Sequence, residues 1–242
     1  MNILITNDDG FEAPGIAALY DALGPFGEVH LVAPITERSA CSHTITLRGP
    51  VTVERIEHEH FGSIHVVHGT PADCVRLAMV ELLDVPVDLV VSGINRGANA
   101  GVDTFYSGTV AGAREGAIMS VPSISVSQAI RPDVDVDWPR ATEATRSIVG
   151  DLIKEQLPGP GFWNVNLPAP VPPDYRDRIR RVPVAPDPMP ADFTRSERDG
   201  GLVIEFDWGK TYWFRDVSGI NDYSVLRNGE VAVSTIPLSG RF

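Results

Sequence analysis

The chain has 242 residues, 43% of them hydrophobic, and a formal net charge of -12 at pH 7. That length and apolar fraction support one large α/β domain, or a domain with an appendage, and exclude a disordered chain. The acidic balance excludes a non-specific nucleic-acid or anionic-membrane binder, which carries a basic surface; if the substrate is a phosphate, a cation must supply the local positive field.

The first fifteen residues, MNILITNDDGFEAPG, set the theme. Asn2 to Thr6 is short, β-branched and apolar, the pattern of a strand buried on both faces of a parallel sheet. Asn7, Asp8, Asp9 and Gly10 form a turn at its carboxyl end. Pro14 then suits the first turn of a helix, with Ile16, Leu19, Tyr20 and Leu23 on one buried face. In open α/β sheets ligands collect beyond the carboxyl ends of the strands, where this turn puts two carboxylates. Adjacent carboxylates repel unless one takes a proton or both share a cation, and a divalent metal is the less costly resolution. Asp-Asp-Gly is also ordinary turn chemistry, so the metal reading depends on what else reaches this edge.

Glu28 to Ala33 is a second strand, closed by Pro34. The loop after it carries Arg38, Ser39, Ser42 and His43 at the same end of the sheet, and Thr44 to Arg55 reads as a hairpin or edge ribbon turning at Gly49-Pro50. Ile64 to Val67 is a strand. A helix starts after it, with Thr70 as N-cap, Pro71 at the first position and Asp73 as a capping partner rather than a catalyst. Val75, Ala78, Met79 and Leu82 form its buried face.

Val87 to Ser92 leads into SGINRGANAGVDTFYSGTVAGAREGA. Gly93, Gly97 and Gly101 free the backbone there, and Asn95 and Asn99 offer neutral ligands. Ser107, Gly108 and Thr109 open a helix whose Ala111, Gly112, Ala113, Gly116 and Ala117 allow close approach to the sheet. A helix start with hydroxyls and free N–H groups is an anion site, and the substrate phosphate belongs there. Ser107 or Thr109 as a mere cap explains one hydroxyl, not the glycines and asparagines before it.

Ser123 to Ser127 is a strand, Pro139 opens a helix burying Thr145, Ile148, Val149 and Leu152, and Trp163 to Leu167 reads as the last strand of the main sheet. The alternation predicts a doubly wound, mostly parallel α/β sheet over residues 1–167. Ten of the twenty prolines fall between Pro158 and Pro190, the composition of a linker. Leu202 to Asp207 and Thr211 to Arg215 read as an aromatic hairpin arm around Trp208, Gly209 and Lys210. A lone hairpin is marginal in water, so residues 168–242 are expected to join copies of the chain into a homo-oligomer. Asn228-Gly229 reads as a turn between strands Tyr223 to Arg227 and Glu230 to Ile236.

Two cysteines, Cys41 and Cys74, do not make a disulfide framework. No secretory signal precedes the first strand and no apolar run has the length of a membrane span, so a cytoplasmic, membrane-independent protein is expected.

Several chemistries fail on residues. Gly10 and Gly15 have the P-loop gap but Ile16 stands where Lys is required, and G-x-G-x-x-G is absent after the first strand. Asp8 and Asp9 are adjacent, not the D-x-D of an aspartyl-phosphate phosphatase. His58 and His60 in EHEH are two ligands, short of a zinc set. His43 and His68, near strand ends, are of more interest as proton donors. What remains is an oxygen-ligand site of Asp8, Asp9, a hydroxyl from the Arg38 to His43 loop and Asn95, which selects Mg²⁺, Mn²⁺ or Ca²⁺. Such an ion lets water attack without a side-chain nucleophile.

The segments ILITNDDG, APITERSACSHTITL, HGTPADCVRLA, SGINRGANAGVDTFYSGTVAGAREGA and AVSTIPL closely resemble the SurE (survival protein E) family of metal-dependent nucleotidases, over nearly the whole chain. The resemblance implies a Rossmann-like core with a C-terminal extension used in dimerisation. It implies hydrolysis of nucleoside 5'- or 3'-monophosphates, with short polyphosphate as a side substrate. By motif position, one Mg²⁺ or Mn²⁺ per subunit is held by Asp8, Asp9, Ser39 and Asn95, and the phosphate meets Asn95, Ser107, Gly108 and Thr109, with Asp8 and Asn95 catalytic. The family usually has Ser-Gly where this chain has Ser39-Ala40, and Ala enters the positive-φ region only with strain. Alternatives are a phosphatase acting on polyphosphate or other monoesters, and a nucleotide-binding module without turnover.

Overall fold

The computed structural model describes residues 1–155, 160–188, 193–198, 200–206 and 218–238. Eleven strands and six helices are traced among them: β1 (Asn2–Thr6), α1 (Pro14–Leu23), β2 (Glu28–Pro34), β3 (Val53–His58), β4 (Gly62–Val67), α2 (Pro71–Leu77), β5 (Leu89–Arg96), α3 (Asp103–Tyr106), α4 (Gly108–Ile118), β6 (Ser123–Gln128), α5 (Trp138–Leu152), β7 (Gly161–Leu167), β8 (Ile179–Arg181), β9 (Phe193–Arg198), β10 (Gly201–Phe206), α6 (Asp222–Arg227) and β11 (Val231–Pro237). Nine strands form one sheet in the order β3-β4-β2-β1-β5-β6-β7-β11-β8. The run from β4 to β7 is parallel.

β1 and β5 are apolar along their length because helices cover both faces of the sheet. On one face Ile3, Ile5 and Val91 pack with Ile16 and Leu19 of α1 and Ile148 and Val149 of α5. On the other, Leu4, Val32 and Val90 pack with Cys74, Val75 and Ala78. The glycines of α4 let that helix lie hard on the sheet. A Cβ on Gly112 would stand 2.8 Å from Ser92 Oγ and 2.9 Å from Thr6 Cγ2, and one on Gly116 would stand 2.5 Å from Ser123 Oγ. The helix therefore brings its start close to the end of β1.

Several local expectations are corrected. Thr44 to Thr52 is not a strand of a hairpin turning at Gly49-Pro50. β3 pairs instead with β4, from Val53↔Val67 to His58↔Gly62. Side chains at the start of α2 capture the earlier segment: Thr46 N–H and Oγ1–H donate to Asp73, and Thr70 donates to the Thr44 carbonyl. Tyr223 to Arg227 is helix, not strand. Asn221 accepts from Ser224 N–H while Ser224 Oγ accepts from Asn221 N–H, a reciprocal cap. The Asn228-Gly229 pair then ends that helix, with Gly229 at φ +72° and Glu230 N–H donating to the Val225 carbonyl.

The sheet also continues past β7. β11 pairs antiparallel with β7 and carries β8 on its other side, so strands from beyond Leu167 lie in the main sheet. Leu202 and its neighbours do form a hairpin, but β10 pairs with β9 through the turn at Gly200. Thr211 to Arg215 lies outside the described residues. Among the described residues no helix is long and apolar enough to cross a membrane.

Candidate active site

At the carboxyl ends of β1 and β5 a cleft of about 400 Å³ is lined by Asp8, Asp9, Glu37, Ser39, Ala40, Asn95, Arg96, Asn99, Asp103, Tyr106 and Ser107. This volume suits a small ligand. A larger cleft of about 610 Å³, between Met1, Ser123 and Trp163, opens at the amino ends of the strands. That is the edge open α/β sheets leave unused by ligands.

The cleft is built from four segments, one of them the stretch that brings Asn99, Asp103, Tyr106 and Ser107 ahead of α4. The turn after β1 supplies the acids. Asp8 is buried, and its carboxylate accepts from the Thr109 hydroxyl and backbone N–H of α4. Gly108 is glycine for the same reason: a Cβ there would lie 2.8 Å from the Asp8 Cβ and Oδ2 and from the Cys41 Sγ. Burial pushes the Asp8 carboxyl up to about 6, with the Asp9 charge adding to the rise and the Thr109 hydrogen bond opposing it. Asp9 is also raised by burial and by Glu37, against the hydrogen bond it accepts from Arg96 N–H at 3.0 Å.

β5 supplies Asn95. The pairing of β5 with β6 shifts between Ser92 and Asn95, and such an irregularity re-aims the side chains beyond it. The Asn95 amide donates to the Gly97 carbonyl at 2.8 Å, which turns its oxygen into the available end. The third segment is the loop after β2. Its backbone is tied down by Arg38 N–H to the Asp8 carbonyl at 2.7 Å and by Ser42 N–H to the Tyr106 carbonyl at 2.8 Å. Ala40 adopts φ +53°, the strained conformation anticipated for it, yet Ser39 lines the cleft and donates its hydroxyl to Glu37.

Asp8, Asp9, Ser39, Asn95 and Ser107 are thus brought together. Gly108 and Thr109 stand behind them, and the Thr109 hydroxyl is committed to Asp8. Ser107 caps α4 by accepting from Val110 N–H at 3.0 Å. His43 and His68 do not line the cleft. His43 Nε2 lies 2.8 Å from the buried Glu115, which Arg76 also meets at 2.6 Å, and His68 pairs with exposed Glu54. Burial raises the Glu115 carboxyl, but His43 and Arg76 outweigh it and hold the group below the usual range. His58 stacks on Phe61 and His60 meets Asp21. Glu37, Asp103 and Tyr106 were not singled out by sequence reasoning. Their only signal was position beside motif residues.

Among the described residues no three His, Cys, Asp or Glu side chains converge as a metal cluster. The donor set here is different: the buried Asp8 and the half-buried Asp9 carboxylates with neutral oxygens from Asn95 and Ser39, a hard all-oxygen set suited to Mg²⁺ or Mn²⁺. Burial first and neighbouring acids second raise both carboxyls, and a bound cation would offset both effects.

Comparison with known proteins identifies the family. The family model described as survival protein SurE matches residues 3–185. A 5'-nucleotidase SurE of Geotalea uraniireducens is 39% identical over 98% of this chain and 93% of its own length. One of Rhodopirellula baltica is 37% identical over 98% and 92%. The crystal structure of the SurE protein from Aquifex aeolicus superposes with a TM-score of 0.82 at 32% identity, covering 99% of this chain and 94% of that one. The nine-stranded sheet, the acidic cleft at its carboxyl edge and these likenesses together make the chain a member of the SurE family.

Proposed function

We propose that this chain is a 5'-nucleotidase, a phosphoric monoester hydrolase that cleaves nucleoside monophosphates to nucleoside and phosphate. The nucleotidase names of its relatives support the activity. The observation that carries the site is the pair of adjacent carboxylates at the end of β1, Asp8 buried against the start of α4 and Asp9 half-buried beside Arg96. Asp8, Asp9, Ser39 and Asn95 would hold one Mg²⁺ or Mn²⁺. When bound, that ion would neutralise phosphoryl charge and acidify water.

The chain's own residues orient and exclude. Thr109 fixes Asp8, Arg96 N–H fixes Asp9, and Gly97 fixes the Asn95 amide so that its oxygen serves the cation. Asn95, the Ser107 hydroxyl and the Gly108 N–H at the helix start receive the phosphate oxygens, with Thr109 acting through Asp8. No side-chain nucleophile competes with water. Burial pushes the Cys41 thiol up to about 11, so it stays protonated, and the Ser39 hydroxyl is turned toward Glu37 rather than a histidine.

The test is phosphate release from AMP and GMP with Mn²⁺ or Mg²⁺, with and without EDTA. Release with metal and none with chelator is expected. Binding of AMP without release would leave a nucleotide-binding module, and faster turnover of short polyphosphate or sugar phosphates would replace the nucleotide as substrate.

The hairpin of β9 and β10 belongs to the same proposal as an oligomerisation arm. It is a two-stranded sheet of its own, with Leu202 64% exposed and Ile204 and Phe193 also exposed. A second copy of this chain is the partner that would cover those side chains.

A further inference from the structure

The cleft has one wall that the handling of phosphate does not use. Tyr106 lines it directly before the Ser107 cap, and its side chain is 54% exposed, beside Phe105 at 50%. Large aromatic side chains at the mouth of a polar cleft leave apolar surface in water, which is unfavourable unless a ligand covers it.

The backbone that carries them is held by three hydrogen bonds from two residues, Arg114 and Ser42. Arg114 Nη2 donates to the Thr104 carbonyl at 2.8 Å, Ser42 Oγ donates to the Phe105 carbonyl at 2.7 Å, and Ser42 N–H donates to the Tyr106 carbonyl at 2.8 Å. Asp103 N–H and Thr104 N–H close turns onto the Ala100 and Gly101 carbonyls. A four-residue helix tethered this way presents its aromatic side chain as a pre-set surface, which lowers the ordering cost of binding.

The charge of the cleft decides what lies against that surface. Among the described residues that line the cleft, Asp8, Asp9, Glu37 and Asp103 are acidic and Arg96 is basic. A single divalent ion offsets two of those carboxylates, so the outer part stays acidic. A polyanionic extension of the substrate is repelled there, whereas a flat, uncharged aromatic group is not.

We propose that Tyr106 is the specificity-determining residue of the site, the platform on which the nucleobase of the substrate stacks. This rests on the nucleotidase reading above and names the part of the substrate that the site selects. Stacking tolerates all bases, because every base has a π-face, so the platform favours nucleotides as a class over other phosphomonoesters without choosing among bases.

The experiment compares AMP with ribose 5-phosphate, which shares the phosphate and sugar and lacks the base. With Mn²⁺, the ratio of kcat/KM for AMP to that for ribose 5-phosphate falls about tenfold in Tyr106→Ala, through KM, and is kept in Tyr106→Phe and Tyr106→Trp. Calorimetric binding of the two ligands to the Mn²⁺-loaded protein reads the same ratio without turnover. An unchanged ratio in Tyr106→Ala, or a ratio lost equally in Tyr106→Phe, overturns the platform. A wild-type protein that hydrolyses neither ligand overturns the nucleotidase reading, while the binding ratio still decides the role of Tyr106.

Discussion

Asp8 carries opposite duties. Its carboxyl is raised from 3.8 to about 6, chiefly by burial and then by Asp9. The native state therefore holds the proton over the interval from about 4 to about 6 in which the unfolded chain has released it. Without metal, stability falls as pH rises through that interval, by on the order of 3 kcal/mol once Asp8 is fully ionised. Asp8→Asn keeps a group for Thr109 to meet and removes the charge. It is expected to abolish phosphate release and, in EDTA at pH 7, to raise Tm by several degrees. Thermal melts at pH 5 and 7, with and without Mn²⁺, check both, and equal Mn²⁺ stabilisation of the variant and the parent would remove Asp8 from the ligand set.

Ala40 presents a simpler case. Its φ of +53° costs an L-residue about 1 kcal/mol that glycine does not incur. Ala40→Gly is expected to leave the fold unchanged and to tighten Mn²⁺ binding severalfold by letting the Ser39 loop settle. Titration with Mn²⁺ under identical conditions measures it, and weaker binding would mean that the loop's stiffness serves the site.

α4 shows how an element can be legible for one reason and built for two. Its small residues announce close packing, and Gly112 and Gly116 meet the sheet as expected. Gly112→Val would push the helix off Ser92 and Thr6, costing about 1–3 kcal/mol. Because the same helix orients Asp8 through Thr109, Mn²⁺ affinity should fall along with Tm. A loss of Tm at unchanged affinity would uncouple the two. The sequence is silent on this coupling, since spacing reveals which residues are small but not that Gly108 yields its space to an acid a hundred positions away.

The elements that sequence misplaces fail for identifiable reasons. Thr44 to Thr52 is β-prone, but Asp73 and Thr70 bind its backbone, so side-chain hydrogen bonds replace a ladder. At Asn228-Gly229 the dipeptide that commonly turns a hairpin ends a helix, because Asn221 and Ser224 had already capped one. For the arm, the Asp-Gly pair at 199–200 was the better turn signal. Asp8, Asp9 and Asn95 were legible as neighbours in one cleft because each lies at the end of a strand or in the loop that follows one, whereas Ser39 was picked out of its loop only by the family resemblance; their role as ligands is proposed. Glu37, Asp103 and Tyr106 were not legible, since only the fold turns them toward the same space.

At the scale of the whole molecule, an acidic chain gathers acids where an anionic substrate must bind. A cation is the simplest way to reverse that field, so the proposed activity is expected to need added metal. On the proposed role of the arm in joining copies of the chain, deleting residues 193–217 should leave the nine-stranded sheet and its cleft in place and yield monomers. Sedimentation reads this directly, and an assembly of unchanged size would place the contact between copies elsewhere.

β11 has a further consequence for biogenesis. The strand that completes this sheet follows every other strand in chain order among the described residues, yet it inserts between β7 and β8. Until Val231 to Pro237 leaves the ribosome, β7 has an open flank with its hydrogen-bonding groups bare, and β8 has nothing to dock on. Nascent or prematurely terminated chains therefore expose an adhesive edge. A chain that stops before Val231 would yield an aggregating product rather than a working fold.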